Sequence, residues 1–316
     1  MKLIFLGTGD FAVPALRALH AAGHEVATVI SQPDRPAGRG RGLLPTPVRV
    51  AAEALGLRHV QADDVNALPP GDIAAGAELG IVAAFGQKLG PRLLVSLPHG
   101  FINIHGSLLP KYRGAAPYQH AILAGDDVTG VTIFQINERW DAGSIWSMAQ
   151  TPIGETETAD ELHDRLARIG AELIVETLRE FQAGRIQPAP QDVAAATRAP
   201  KLTKADGYVD WSWPARHCVR RIHGLWSWPA VTCRFVSQGG REEPVQLARA
   251  TPAPARAAPA TAPSPGVFCD DLSIQAGDGA VRLLEVKPAG GKLMPFDAYA
   301  NGRRIRPGDR LLRVEP

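Results

Sequence analysis

The sequence predicts an α/β protein in two parts: a Rossmann-like, mainly parallel sheet with helices on both faces, then a small β domain. Three observations carry that prediction. Short apolar runs in the first 136 residues alternate with helix-compatible stretches, the pattern of consecutive β-α-β units. Residues 186–200 turn rich in Pro, Gln and Ala without a period, as linkers do. Beyond them the apolar segments are short and spaced by turn residues. A length of 316 residues suits two domains. The expected boundaries are 1–189 for the α/β domain, 190–205 for the linker and 206–316 for the β domain.

Lys2–Leu6 reads as a buried strand. Gly7-Thr8-Gly9-Asp10 then turns the chain into a helix whose Val13, Leu16 and Leu19 share one side before Gly23 stops it. Glu25–Ile30 is a second strand. It runs into QPDRPAGRGRGLLPTP, residues 32–47, which is long for a connection and too rich in breakers to be regular. Apolar runs at 80–85, 101–104 and 131–136 continue the sheet. The clearest helix begins at Thr158: Thr158 and Glu161 form a capping box, Leu162, Leu166, Ile169, Leu173 and Leu178 make an apolar stripe, and Gly184 is the stop. In the second part, strands are expected around 231–236, 245–247, 267–274 and 281–286, with 250–265 as a flexible insertion. Trp211, Trp213, Trp226 and Trp228 are expected to anchor its core.

Composition narrows the function classes. With 45% hydrophobic and 21% charged residues, the chain is neither mainly disordered nor a fibre. Cys218, Cys233 and Cys269 are odd in number and form no C-x-x-C pair, which argues against a disulfide framework and a zinc site. No His, Cys and carboxylate cluster has ligand spacing, so no metal is expected. Four apolar residues before Gly7 are too few for a signal peptide, and no run approaches a membrane span, so a cytoplasmic protein is expected. Charge is uneven: residues 206–316 hold 15 Lys/Arg against 11 Asp/Glu, and residues 1–205 hold 19 against 21. That surplus is compatible with a polyanionic partner for the second part and equally with a solvated surface.

The chemistry concentrates in FINIHGSLLPKYRGAAPYQ, residues 101–119, and in Asp141 of RWDAGS. Phe101-Ile102-Asn103-Ile104-His105 alternates and breaks at Gly106, placing Asn103 and His105 on one face at a strand end. Open α/β sheets put their sites there. An amide, an imidazole and a carboxylate can together hold an oxyanion and move a proton. A competing signal, Gly7-x-Gly9-x-x-Ala12 with Asp34 downstream, fits a dinucleotide fingerprint, but Asp34 lies between Pro33 and Arg35 in the loop after the second strand.

These segments resemble the methionyl-tRNA formyltransferases, within the wider folate-dependent formyltransferase group. The resemblance runs through GTGDFAVPAL near the start, QPDRPAGRG at 32–40, NIHGSLLPKYRGAAPYQ at 103–119, VTIFQINERWDAGSI at 131–145 and KLTKADGYVDW at 201–211. It implies formyl transfer from 10-formyltetrahydrofolate to the α-amino group of methionine on initiator tRNA, with Asn103, His105 and Asp141 catalytic. It assigns Ser107, Leu108, Leu109 and Pro110 to the folate contact, and the loop carrying Arg39, Arg41 and Arg35 to the acceptor arm of the tRNA. It also implies an OB-like barrel at 206–316 that helps hold tRNA, and a monomer is expected. On the residues alone, His105 either accepts the amine proton or, as imidazolium, helps hold the oxyanion.

This chain departs from the family pattern at Gly9, where a Pro is usual, and at Trp140, Ala142 and Ser144 around the acidic residue. Two other readings stay open: a formyltransferase for a smaller amine, and a non-catalytic RNA-binding relative. The first would not need the arginine loop, and the second would be expected to have lost one of the three catalytic groups.

Overall fold

The computed structural model describes residues 1–37, 42–69, 71, 73, 76–253 and 263–314. Two units emerge, one of Met1–Pro117, Val128–Pro152 and His163–Pro200, the other of Tyr118–Asp127, Ile153–Leu162 and Lys201–Pro316. Among the described residues no helix is long and apolar enough to cross a membrane.

The first unit carries β1 (Lys2–Gly7), β2 (Glu25–Ser31), β3 (Arg35–Ala37), β4 (Gly42–Leu44), β5 (His59–Gln61), β6 (Leu79–Ala83), β7 (Phe101–His105), β8 (Arg113–Gly114), β9 (Val128–Gln135), β10 (Ile145–Pro152) and β11 (Arg198–Ala199). Seven of them form one sheet in the order β10-β9-β7-β6-β1-β2-β5. From β5 to β7 all neighbours are parallel, while β9 runs antiparallel to β7 and β10 antiparallel to β9. The Rossmann-like, mainly parallel architecture read from the sequence is what forms. β1 and β6 bury every residue except Lys2, as strands covered on both faces must. Burial of an Ile or Leu there stabilises the fold by roughly 2 kcal/mol per side chain. The chain lays β2 and β5 on one side of β1 and returns to lay β6 and β7 on the other, so the order reverses between β1 and β6.

The helices follow their local signals. In α1 (Val13–Ala21), Leu16 and Leu19 are buried. In α2 (Pro47–Ala54), Thr46 caps the first turn by accepting the Arg49 N–H at 3.2 Å. Two short helices follow, α3 (Pro91–Leu94) and α4 (Pro117–Ala124). α5 (Ala159–Gln182) opens on the expected capping box: Thr158 N–H donates to Glu161 Oε2 at 2.9 Å, and Glu161 N–H to Thr158 Oγ1 at 3.4 Å. The segment 32–47, expected to be irregular, instead contains the β3–β4 hairpin with Arg35 opposite Leu44 and Ala37 opposite Gly42. An isolated pair tolerates Pro36 because its ring needs no ladder donor on the open side.

The second unit is antiparallel throughout. β12 (Val231–Val236), β13 (Glu242–Ala253), β14 (Ile274–Gln275), β15 (Ala280–Pro288) and β17 (Arg310–Arg313) lie in the order β14-β15-β13-β12-β17, with β16 (Met294–Pro295) on β15. Bridges from Val267 to Arg310 and from Phe268 to Ile274 carry β17 back to β14, giving the nearly closed, OB-like barrel. Val231, Cys233 and Phe235 alternate inward along β12. Cys218, Cys233 and Cys269 are all free, and burial pushes the Cys218 thiol up to about 12.

Two expectations for the second unit are corrected. The expected strand at 267–274 is interrupted: Val267 and Phe268 make only single bridges and β14 starts at Ile274, because Leu272 takes a left-handed φ of +58° in a turn that Asp271 ties to Ser273. Trp228 is 55% exposed, since the chain turns at Pro229 and Ala230, whereas Trp211 is buried as expected. The sequence reading also missed α6 (Ala215–Leu225) and α7 (Phe296–Arg303), which cover parts of the barrel. Residues 254–262 of the expected flexible insertion lie outside the described residues.

Candidate active site

β7 ends at His105, one strand out from the reversal between β1 and β6, with Asn103 two residues earlier on the same face. Asn103 sits between Val82 of β6 and Phe134 of β9 in the ladder. Its side chain is half-buried, and among the described residues its amide has no hydrogen-bond partner. His105 is only 5% exposed and meets the Phe134 ring edge-on. Its Nε2 lies 3.0 Å from the Tyr112 carbonyl oxygen. A carbonyl only accepts, so Nε2 carries hydrogen in that bond, and a neutral ring must present its lone pair at Nδ1. Nδ1 faces Asp141 Oδ2 at 3.9 Å.

Asp141 reaches this position from a tight turn after β9, where its φ is +49°. A left-handed conformation costs a non-glycine residue roughly 1 kcal/mol or more, so something must hold it. Its carboxylate accepts the Gly114 N–H at 2.8 Å, and its carbonyl accepts from Gln191 Nε2 at 2.9 Å. Gly143 follows because a side chain would have its Cβ only 1.6 Å from the Gln135 carbonyl oxygen. Gly114 is similarly required: a Cβ there would lie 2.4 Å from the Ala199 oxygen of β11, the strand paired with β8.

The Ser107–Pro110 turn is built from inside. Ser107 is fully buried and donates its hydroxyl to the Lys111 carbonyl at 2.8 Å. Thr132 of β9, also buried, donates to the Ser107 carbonyl at 2.7 Å and accepts the Leu109 N–H at 3.0 Å. Leu109 packs inward at 3% exposed, while Leu108 and Pro110 are half-buried. The outward wall of this turn is therefore Leu108 and Pro110, with Ser107 and Leu109 shaping it from behind.

The remaining predicted residues divide. Arg35 is exposed on β3 and donates to Gln32 Oε1 at 2.6 Å, while Arg39 and Arg41 lie outside the described residues. Asp34 is not free for a ribose: Gln61 at 2.6 Å, Thr46 N–H at 3.2 Å and Arg49 at 2.5 Å occupy its carboxylate. Burial opposes its charge, but those donors outweigh burial and hold the carboxyl below its ordinary value. Among the described residues no group of three His, Cys, Asp or Glu side chains gathers as a metal set.

Several groups in the site carry no sequence signal. The Tyr112 carbonyl and Gly114 N–H are backbone, and Thr132 reads as an ordinary β-branched strand residue. Gln191 lies in the Pro-rich stretch that resembles a linker.

The formyl transferase family model matches residues 1–178, and its C-terminal domain model matches 201–304. The methionyl-tRNA formyltransferase of Heliobacterium modesticaldum is 44% identical, over 98% of this chain and 100% of its own length. That of Solibacter usitatus is 42% identical, over 98% of each. Among solved structures, the N-formyltransferase from Helicobacter canadensis in complex with folinic acid and dTDP-3-aminofucose superposes with a TM-score of 0.65. It covers 90% of this chain and 98% of its own, at 16% identity, a likeness of fold. WlaRD, a sugar 3N-formyl transferase crystallised with dTDP and 5-N-formyl-THF, gives 0.64 with the same coverage and identity. Matched by both family models and by relatives aligned over nearly its whole length, the chain belongs to the formyl transferase family.

Proposed function

We propose that the protein is a methionyl-tRNA formyltransferase, moving a formyl group from 10-formyltetrahydrofolate to the α-amino group of methionine on initiator tRNA. The observation that carries this reading is the alignment, at 42–44% identity and nearly end to end, with relatives of that name. The geometry around His105 supports roles for Asn103, His105 and Asp141 in that transfer.

The amine attacks the formyl carbon, a C–N bond forms, and the carbonyl oxygen gains negative charge. Asn103, whose amide no described residue engages, donates its side-chain N–H to that oxygen. Neutral His105 holds its Nε2 hydrogen against Tyr112 and offers Nδ1 as the base. A proton taken at Nδ1 lies between the ring and Asp141, and the carboxylate stabilises the imidazolium. His105 then returns the proton to the departing folate nitrogen as the old C–N bond breaks, so the cycle leaves no net charge on the enzyme. Leu108 and Pro110 supply an apolar wall for a flat pterin, with Ser107 and Leu109 setting its shape.

Arg39, Arg41 and Arg35 extend the proposal to the acceptor arm, where guanidinium groups bind phosphates. Residues 1–189 carry the chemistry and 206–316 help hold the tRNA. The same proposal takes the protein as a cytoplasmic monomer. The test is an acceptor comparison with 10-formyltetrahydrofolate as donor. Charged initiator tRNA should be formylated at least ~10²-fold more efficiently than amino sugars or nucleotide amines. Preference for a small amine would assign the chain to a different branch of the family.

A further inference from the structure

We infer that Gln191 is a positioning residue for formyl transfer, acting through Asp141. This rests on the reading of Asp141 given above and deepens it. Gln191 uses its whole amide: Nε2 donates to the carbonyls of Asp141 at 2.9 Å and Gly143 at 2.8 Å. Its Oε1 accepts from Arg113 Nη2 at 2.7 Å and Nε at 3.1 Å. Both amide hydrogens and both oxygen lone pairs are satisfied, so the side chain is fixed in one orientation.

The two residues of β8 thereby grip Asp141 from two sides. Gly114 N–H binds its carboxylate directly, and Arg113 reaches its carbonyl through Gln191. β8 is itself set by pairing with β11, where Arg113 lies opposite Arg198 and Gly114 opposite Ala199. A turn holding a residue at φ +49° relaxes when its carbonyl clamps are removed, and 3.9 Å leaves the carboxylate at the limit of useful contact with Nδ1. Loss of Gln191 lets the carboxylate drift while Asn103, His105 and the Ser107–Pro110 turn, which it does not touch, remain. The effect should fall on turnover and leave substrate affinity alone. Gln191→Glu is a second probe, because it keeps the acceptor for Arg113 but turns a donor into an acceptor against two carbonyls.

The experiment is a double-mutant cycle on the full chain. It uses Gln191→Ala, Gln191→Glu and Asp141→Asn, each Gln191 variant combined with Asp141→Asn, with melting curves for all. The expected result is a fall in kcat of ~10- to 10²-fold for each single Gln191 variant. KM for folate and tRNA should stay within about twofold, and the Gln191 effect should shrink to about twofold or less in the Asp141→Asn background. Equal losses in both backgrounds, or a KM effect with normal kcat, would overturn the inference. Impaired Asp141→Asn alongside normal folded Gln191 variants would overturn it alone. Normal turnover by Asp141→Asn would remove the reading of Asp141 itself.

Discussion

Asp141→Asn isolates the charge beside His105 with little change of shape. The amide oxygen of Asn can still accept the Gly114 N–H now held at 2.8 Å, and the backbone clamp from Gln191 is untouched, so the turn should persist. What disappears is a negative charge 3.9 Å from Nδ1, with side chains only 6% and 11% exposed. At an effective dielectric near 20, unit charges at that distance attract by about 4 kcal/mol. Partial recovery by the Asn dipole and solvent leaves roughly 3 kcal/mol, and each 1.36 kcal/mol is a factor of ten in rate. A mechanism in which His105 gains a proton at Nδ1 thus predicts a loss of ~10²-fold in single-turnover formylation, with Tm and both KM values little changed. Turnover within threefold of the parent, in a variant that melts normally, would mean that no imidazolium forms there during the reaction.

Stability should depend on pH through His223. Burial lowers its pKa from 6.5 to about 4, helped by nearby Arg249, and its Nε2 accepts the Ala250 N–H at 3.1 Å, which a protonated ring cannot do. The unfolded chain binds a proton that the folded one refuses. The contribution is therefore complete above pH 6.5 and lost as pH falls toward 4, about 3 kcal/mol in all. Denaturant titrations of the parent and His223→Gln across that window check it; equal slopes would refute it. Arg39→Ala should raise KM for methionyl-tRNA about tenfold with folate KM unchanged, read by steady-state kinetics at two salt concentrations. An unchanged tRNA KM would take Arg39 out of the interface.

Much of the fold is legible because its signals are local. Apolar runs with both faces covered give β1, β6 and β7, and Thr158 with Glu161 marks the start of α5 three residues apart. His105 and Asn103 are legible as a pair because strand periodicity sets their face. Asp141 is not placed by periodicity at all. Its approach depends on a left-handed turn, a two-residue strand pairing and the amide of Gln191, which come from 27 and 50 positions away. The β3–β4 hairpin and the exposure of Trp228 escape for a related reason: Pro and aromatic residues announce breakers or core, and the surrounding chain decides otherwise.

Formyl transfer from 10-formyltetrahydrofolate to methionyl initiator tRNA by the Asn103→Ala protein, under single-turnover conditions, reads out whether the β7 amide holds the oxyanion. Loss of one oxyanion donor predicts a rate at least ~10²-fold below the parent, with an unchanged circular dichroism spectrum and melting curve. A folded variant that transfers formyl at the parental rate would contradict the account, because β7 would then be carrying an amide that the chemistry does not use.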